Sequence, residues 1–234
     1  MSRSATDPLD PGPAGFAHRG LHSGDDPPEN CLSAFAAAIA AGAGIECDLR
    51  LTRDDRIVVF HDSDALRLCA DPAVIGRSSL AELGALRVGG APLPTLEGLL
   101  RLVRGQVPLL LEVKVERDLW RWPPALASAL AGYHGRFGVM SFEPRLIRLV
   151  KNKLPGWRRG LVVGDKLGPV RRAIALRLAE PDFLAVQRGT AQRGWVARER
   201  RRKPVYAWTV RTAEQRRTLS DQVDALIWEG DGRP

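Results

Sequence analysis

Residues 45–60 read IECDLRLTRDDRIVVF, two apolar runs separated by a short polar stretch. Apolar and polar side chains alternate through IECDLRL at 45–51, which predicts a β-strand. The polar stretch TRDDR at 52–56 is too short for a parallel crossover, which needs about a dozen residues or more. The run IVVF at 57–60 therefore predicts a strand that returns antiparallel to the first as a hairpin.

Outside this hairpin, β-like runs alternate with helix-like stretches, which is typical of a parallel sheet with crossover helices. The predicted strands are 15–18, 45–51, 108–114, 138–142, 160–163, 183–187, 205–210 and 225–228. The predicted helices are 31–41, 96–103, 125–131, 145–152, 170–178, 196–200 and 213–219, with Asn30 as N-cap of the first. Eight strands predict an α/β fold, a closed (β/α)8 TIM barrel, although an open doubly wound sheet would give a similar pattern.

A chain of 234 residues is expected to form one barrel domain, because α/β barrels run to about 200–250 residues without dividing. The Pro- and Gly-rich stretch at 1–14 lacks the apolar segment of a signal peptide. It predicts a disordered lead before a single domain at 15–234. The passage at 63–94, which we call the excursion, has weak periodicity and is expected to cross the barrel mouth. Its role is either substrate selection or connection.

The net charge of +8 favours anionic partners such as phosphate esters, lipid headgroups or nucleic acid, without choosing among them. The three cysteines form no CxxC pair and leave an odd thiol under any disulfide pairing. A reducing cytoplasm is therefore the expected location. No apolar run approaches the roughly 18 residues that a membrane-spanning helix needs.

Three carboxylates lie on apolar strands. Because side chains alternate along a strand, Glu46 and Asp48 share one face, and Glu112 and Lys114 share a face of the next barrel strand. Any one such acid is more often solvated or salt-bridged, but the apolar flanks of both strands favour a shared buried site. Close carboxylates repel unless a cation lies between them, and three oxygen donors suit Mg²⁺ or Ca²⁺ better than zinc.

Two histidines are predicted near these acids. His18 ends the first strand beside Arg19, with Gly20 allowing the backbone to turn. If the hairpin turn is centred near Asp54, Phe60 pairs with Asp48 and His61 pairs with Cys47, while a slip of one residue would reverse the face of His61. Lone histidines are usually structural, but two near one acidic cluster suit phosphodiester cleavage, which needs a proton acceptor and a proton donor. We assign no role to the other two histidines, His22 and His134.

Seven segments of the chain resemble the glycerophosphodiester phosphodiesterases in order and spacing. They are AHRG (17–20), PEN (28–30), IECDLRLTRDD (45–55), VVFHD (58–62), LLLEVK (109–114), MSFEP (140–144) and AWTV (207–210). The resemblance covers nearly the whole chain from Phe16. It implies a TIM barrel that hydrolyses a glycerophosphodiester, a small-molecule substrate, to glycerol 3-phosphate and an alcohol.

The resemblance also implies roles for individual residues. One divalent cation, Mg²⁺ or Ca²⁺, would be held by Glu46, Asp48 and Glu112. The general acid and base would be His18 and His61. The phosphate would be bound by Arg19 and Lys114, since preorganised cations stabilise charge that develops on its oxygens. Trp208 matches an aromatic position near the mouth, although a buried core tryptophan is an equal expectation.

The chain departs from the family pattern at three places. Cys31 stands where many members have Thr, and Asp54-Asp55 replaces the Asp-Gly of the hairpin turn, which removes an easy positive-φ position. The last strand ends in Glu229 where Thr-Asp is usual, and whether Glu229 replaces that acid is left open.

The basic run ARERRRK at 197–203 allows transient contact with an anionic membrane surface, but a solvated helix end is the favoured interpretation. No nucleic-acid motif is present, so no nucleic-acid partner is expected. Three hypotheses follow: hydrolysis of small glycerophosphodiesters, lysophospholipase D-like activity on lipid phosphodiesters, and a non-catalytic anion-binding barrel. The metal, the leaving alcohol and the oligomeric state are not determined by the sequence.

Overall fold

The computed structural model describes residues 7–24, 26–116 and 118–234. Within these ranges the strands are β1 (Phe16–His18), β2 (Gly44–Leu51), β3 (Ile57–Val59), β4 (Arg87–Val88), β5 (Ala91–Pro92), β6 (Leu109–Val113), β7 (Phe137–Ser141), β8 (Arg158–Val163), β9 (Phe183–Gln187), β10 (Val205–Val210) and β11 (Ala225–Trp228). The α-helices in the same ranges are α1 (Leu32–Ala40), α2 (Leu66–Cys69), α3 (Leu96–Val103), α4 (Trp122–Ala129), α5 (Pro144–Lys153), α6 (Pro169–Ala179), α7 (Gly194–Arg200) and α8 (Ala213–Leu219). None of these helices has the length and apolar character needed to cross a membrane.

Parallel pairing closes the sheet into a barrel. The order runs β1, β2, β6, β7, β8, β9, β10, β11, and β1 pairs with β11 as well as with β2. Phe16 is opposite Ile227 on one side and Gly44 on the other. This closure confirms the predicted (β/α)8 barrel and rules out the open sheet.

Aromatic side chains fill the barrel interior. Phe16, Phe183 and Tyr206 are fully buried there, with ring centroids 5.5 Å apart for Phe16 and Tyr206 and 5.2 Å apart for Phe183 and Tyr206. A Cβ on Gly160 would lie 2.2 Å from the Phe183 ring, so this strand position needs glycine to admit the ring. The barrel is therefore a packed core, and only its end can carry a cavity.

The amino-terminal lead differs from the expected disorder over 1–14 wherever it is described. Residues 1–6 lie outside the described residues. Leu9 is buried in the interior cluster that contains Phe16 and Phe183. The Tyr206 hydroxyl donates a hydrogen bond to Asp7, and residues Gly12–Ala14 form a 3₁₀ turn. The physical reason is that the barrel interior is apolar, so burying Leu9 there outweighs the low apolar content of the segment.

The hairpin has the predicted register. Leu49 is opposite Val59, and the Phe60 N–H donates to the Asp48 carbonyl at 2.9 Å, which continues the pairing towards His61. The predicted N-cap of α1 is wrong, because Asn30 has a φ of +57°. The cap is Cys31, whose Sγ accepts a hydrogen bond from the Ala34 N–H at 3.4 Å.

The excursion forms a small packed unit beside the hairpin. It contains α2 and the antiparallel pair β4–β5. Its buried side chains, which include Ile75, Leu83 and Val88, share an apolar cluster with Val58 and Phe60 of the hairpin. The excursion is thereby anchored next to the chain segment that carries His61.

Candidate active site

Strand pairing brings the three predicted acids together. Asp48 of β2 is opposite Glu112 of β6, and Glu46 of β2 is opposite His18 of β1. All three acids are buried, and one oxygen from each lies within 4.8 Å of one oxygen from the others. The cluster lies near the carboxyl ends of the parallel strands, where barrel proteins place their chemistry.

The charge state of this triad is unfavourable without a further cation. The Oε1 atom of Glu46 is buried and has no hydrogen-bond partner among the described residues. Burial raises the pKa of Glu46 well above its ordinary value, and the Asp48 and Glu112 carboxylates raise it further. Burial also raises the pKa of Glu112. An orphaned carboxylate oxygen beside two more acids is a donor set that fits a hard divalent cation.

Two basic side chains border the triad. The Nζ atom of Lys114 lies 2.9 Å from Asp48 Oδ1 and also contacts Glu112. The Nε atom of Arg19 lies 3.1 Å from Asp48 Oδ2. Burial favours protonation of Asp48, but Lys114 and Arg19 outweigh it and hold the pKa of Asp48 below its ordinary value. Asp48 is therefore ionised, and the cations that keep it so face the same site.

His18 is oriented by a carboxylate from the far end of the chain. Its Nδ1 atom lies 2.8 Å from Glu229 Oε2, and its Nε2 atom lies 3.9 Å from Glu46 Oε2. Arg211 contacts the other oxygen of Glu229. Burial lowers the pKa of His18, although the hydrogen bond to Glu229 opposes it. A ring held through Nδ1 presents Nε2 to the site.

His61 is likewise paired with a carboxylate. Its Nδ1 atom lies 2.7 Å from Asp62 Oδ1, and its carbonyl oxygen accepts a hydrogen bond from Arg50 Nε at 2.8 Å. Burial lowers the pKa of His61, with the Asp48 carboxylate opposing. Each histidine thus has its own carboxylate. Sequence reasoning left the role of Glu229 open and did not identify Asp62.

Arg67 of the excursion binds two carboxylates next to the site. Its Nε atom lies 2.6 Å from Asp62 Oδ2, and its Nη2 atom lies 2.6 Å from Glu29 Oε1. The same Glu29 oxygen accepts a hydrogen bond from Arg19 Nη1 at 3.0 Å. The Arg67 guanidinium therefore holds both Asp62, which is the partner of His61, and Glu29, which is a partner of Arg19. No local pattern in the sequence signals this role.

Asn30 holds Asp48 in position. Its Nδ2 atom donates to Asp48 Oδ2 at 2.9 Å, and its Oδ1 atom accepts from the Asp48 N–H at 3.3 Å. This use of the amide explains why Asn30 does not cap α1.

A cavity of about 320 Å³ is lined by both histidines and by Glu46 and Glu112 of the triad. Its polar lining includes His18, Arg19, Glu46, His61, Glu112 and Lys114. Its apolar side is formed by Met140, Phe142, Val162, Trp208 and Ile227. The Trp208 Nε1–H donates to the Ala185 carbonyl at 3.1 Å, and its ring meets the Phe142 ring edge-on at 5.5 Å. Trp208 therefore lies at the cavity wall with its ring fixed.

A larger cavity of about 450 Å³ lies on the other side of Lys114. It is lined by neither histidine and by no member of the triad. Two of its arginines are held by internal ion pairs, Arg50 with Glu116 and Arg121 with Asp55. The predicted site residues therefore lie mainly at the smaller cavity.

The fold and the site together define a closed (β/α)8 barrel that carries an acidic triad and two carboxylate-paired histidines at its mouth. The family model described as "Glycerophosphoryl diester phosphodiesterase family" matches residues 18–229. The chain belongs to this family, as the sequence motifs predict.

Curated relatives share part of the chain. The glycerophosphodiester phosphodiesterase of Caldanaerobacter subterraneus is 30% identical over 161 residues, which is 63% of this chain and 65% of that protein. The glycerophosphodiester phosphodiesterase of Bacillus altitudinis is 31% identical over 117 residues, 46% of this chain and 47% of that protein. The chain thus matches between about half and two thirds of the length of these relatives.

Solved structures share the fold over nearly the whole chain. A phosphodiesterase of Oleispira antarctica, solved with the product sn-glycerol-3-phosphate, superposes with a TM-score of 0.83 at 22% identity and covers 94% of both chains. The glycerophosphodiester phosphodiesterase of Thermotoga maritima has a TM-score of 0.76 at 24% identity and covers 91% of this chain and 92% of that chain. These likenesses agree with the closed barrel.

Proposed function

We propose that the protein hydrolyses glycerophosphodiesters to glycerol 3-phosphate and an alcohol, with one divalent cation, Mg²⁺ or Ca²⁺. The main observation in support is that the imidazoles of His18 and His61 line one cavity beside the three-carboxylate cluster. Each imidazole is paired through Nδ1 with its own carboxylate. Relatives named glycerophosphodiester phosphodiesterases and the sn-glycerol-3-phosphate held by the Oleispira protein support the substrate class.

The cation would be held by Glu46, Asp48 and Glu112. When bound, it supplies positive charge that offsets their mutual repulsion and stabilises charge developing on the phosphoryl oxygens. Arg19 and Lys114 bind the phosphate from the same side, because both cations border the triad and line the cavity.

His18 and His61 move the protons. An Nδ1–H donated to a carboxylate leaves Nε2 to exchange protons with the substrate, and burial lowers the pKa of both rings while their carboxylate partners oppose this shift. One Nε2 accepts a proton from the attacking water as the water oxygen bonds to phosphorus, and the other ring, in its protonated form, donates a proton to the departing alkoxide as its bond to phosphorus breaks. Glu229 and Asp62 stabilise the imidazolium that each ring becomes.

The cavity volume of about 320 Å³ is at the small end of ligand sites and suits a glycerol phosphate unit. This supports a small glycerophosphodiester over a lipid substrate. The complete histidine pair supports catalysis over simple anion binding. The three free cysteines, two of them buried, support the proposal that the protein works in a reducing cytoplasm.

The proposal is tested by assaying glycerophosphocholine and lysophosphatidylcholine with Mg²⁺ or Ca²⁺. We expect release of glycerol 3-phosphate from glycerophosphocholine. His18→Ala should lower turnover by about 10²–10⁴-fold while leaving the fold intact, because it removes a proton-transfer group. His134→Ala is the matched control, since His134 is an exposed histidine outside the cavity. Near-normal turnover of His18→Ala would refute the assigned role, and choline release from lysophosphatidylcholine alone would favour the lipid hypothesis.

A further inference from the structure

Helix α6 presents an apolar stripe to solvent. Val170, Ile174 and Leu178 are 71%, 60% and 38% exposed, and their spacing of four residues places them on one face. The helix buries Ala175 and Ala179, which lie on a neighbouring face. A barrel helix normally turns its larger apolar residues inward, so this outward stripe calls for an apolar partner.

Positive charge borders this stripe on both sides. At about 100° per residue, Arg171 lies beside one edge of the stripe and Arg177 beside the other, and both are exposed. Arg172 is turned away and stacks on the Trp195 ring, 4.4 Å from its centroid. The helix sequence PVRRAIALRLA contains no acidic residue.

The stripe begins at the mouth of the barrel. Helix α6 follows β8, so Val170 in its first turn lies at the end of the barrel where β8 contributes Val162 to the cavity. Phe142, which is 49% exposed, also lines the cavity, and a Cβ on Gly164 in the β8–α6 connection would lie 3.8 Å from its ring. The apolar wall of the cavity and the first turn of α6 are therefore at the same end of the barrel.

We propose that α6 docks the protein on an anionic phospholipid bilayer. Val170, Ile174 and Leu178 enter the boundary between headgroups and acyl chains, and Arg171 and Arg177 bind lipid phosphates on either side. This arrangement places the mouth of the barrel beside the lipid surface.

Charge favours a bilayer over a second copy of the chain. Pairing two α6 helices face to face would bring their arginines together without an acid on either helix, and like charges repel. The chain as a whole carries a net charge of +8, which adds attraction to an anionic surface.

The basic run at 197–203 is less available for this contact. Arg200 Nε lies 3.2 Å from Asp224 Oδ1, and Lys203 Nζ donates to the Pro181 carbonyl at 2.9 Å. Two of its cations are thus engaged within the chain, so α6 carries the proposal.

The test is co-sedimentation of the full chain with vesicles of phosphatidylcholine alone or mixed with phosphatidylglycerol. We expect binding to the anionic vesicles that weakens as salt is raised. The double variant Arg171→Gln with Arg177→Gln should weaken binding by about tenfold or more. Ile174→Asp should also abolish sedimentation, because it places a charge in the apolar stripe.

The matched control is Arg101→Gln with Arg104→Gln, which removes the same charge from α3. Turnover of glycerophosphocholine should be unchanged in all these variants, so a failure of docking is distinguishable from a failure of the proposed activity. Wild-type protein that stays in the supernatant with anionic vesicles would overturn the proposal. Equal loss of binding in the α3 control, or light scattering that shows a dimer dissolved by Ile174→Asp, would also overturn it.

Discussion

Arg67 decides whether the excursion serves the chemistry or only connects two strands. Replacing Arg67 with Ala removes the groups that hold Asp62 Oδ2 and Glu29 Oε1, each 2.6 Å away. In the variant, Asp62 still contacts His61 through Oδ1, but Asp62 Oδ2 has lost Arg67. Glu29 still accepts a hydrogen bond from Arg19, but it too has lost Arg67. We therefore expect a defect in turnover and in substrate binding from a residue that lines neither cavity.

The expected stability loss is small. The Arg67 side chain is 48% exposed, and ion pairs of this kind contribute about 0–1 kcal/mol each after solvent screening. A total near 1 kcal/mol corresponds to an unfolding midpoint about 2–4 °C lower for a chain of this length. Loss of a residue that orients a functional ligand costs about 10–100-fold in activity in comparable outer-shell positions. The rate effect should thus exceed what the stability effect explains.

The assay is steady-state hydrolysis of glycerophosphocholine with a double-mutant cycle. Arg67→Ala should lower kcat by about tenfold or more and raise KM several-fold. Arg67→Lys should recover only part of the lost activity, because one ammonium group cannot bind both carboxylates as the guanidinium does. The combination with Asp62→Asn should lose less than the product of the two single effects. Arg87→Ala is the control, since its guanidinium contacts only the Gly84 and Leu86 carbonyls among the described residues. The reasoning would be refuted if the effects of Arg67→Ala and Asp62→Asn were additive. It would also be refuted if kcat/KM of Arg67→Ala were within twofold of the wild-type value.

Three further predictions follow from the site and the helix ends. Glu229→Gln should lower kcat by about tenfold through loss of the charge behind His18, whereas Glu214→Gln, an exposed acid on α8, should leave kcat unchanged. Glu46→Gln should raise the unfolding midpoint of metal-depleted protein, because it removes one of three buried carboxylates that repel one another. The variant should also lose the stabilisation that we expect Mg²⁺ or Ca²⁺ to give the wild-type protein. Calorimetry with and without metal checks both results, and an equal response of the two proteins to metal would contradict them. Arg104→Gly should raise the midpoint by about 2 °C, since Arg104 ends α3 with a φ of +49°, and an unchanged or lower midpoint would contradict it.

Local patterns were sufficient for most of the fold. The strand at 205–210 and the helix at 96–103 have the predicted bounds, because their apolar periodicity extends over the whole element. Strand parity placed Glu46 and Asp48 on one face, and the short turn set the hairpin register that brings His61 back to their level. Such properties depend on residues close in the chain, so a sequence carries them.

Partners distant in the chain needed the closed barrel. His18 and Glu229 are 211 residues apart and meet because β1 pairs with β11. Arg67 reaches Glu29 across 38 residues because the excursion packs on the hairpin. Local signals predicted disorder around Leu9 and an N-cap role for Asn30. Instead, the apolar barrel interior buries Leu9, and the Asn30 side chain donates a hydrogen bond to the Asp48 carboxylate. The sequence by itself determined the barrel strands, the family and the candidate side chains expected at the mouth. Only the tertiary structure decided that Glu229 holds His18, because periodicity constrains near neighbours, whereas barrel closure joins the two ends of the chain.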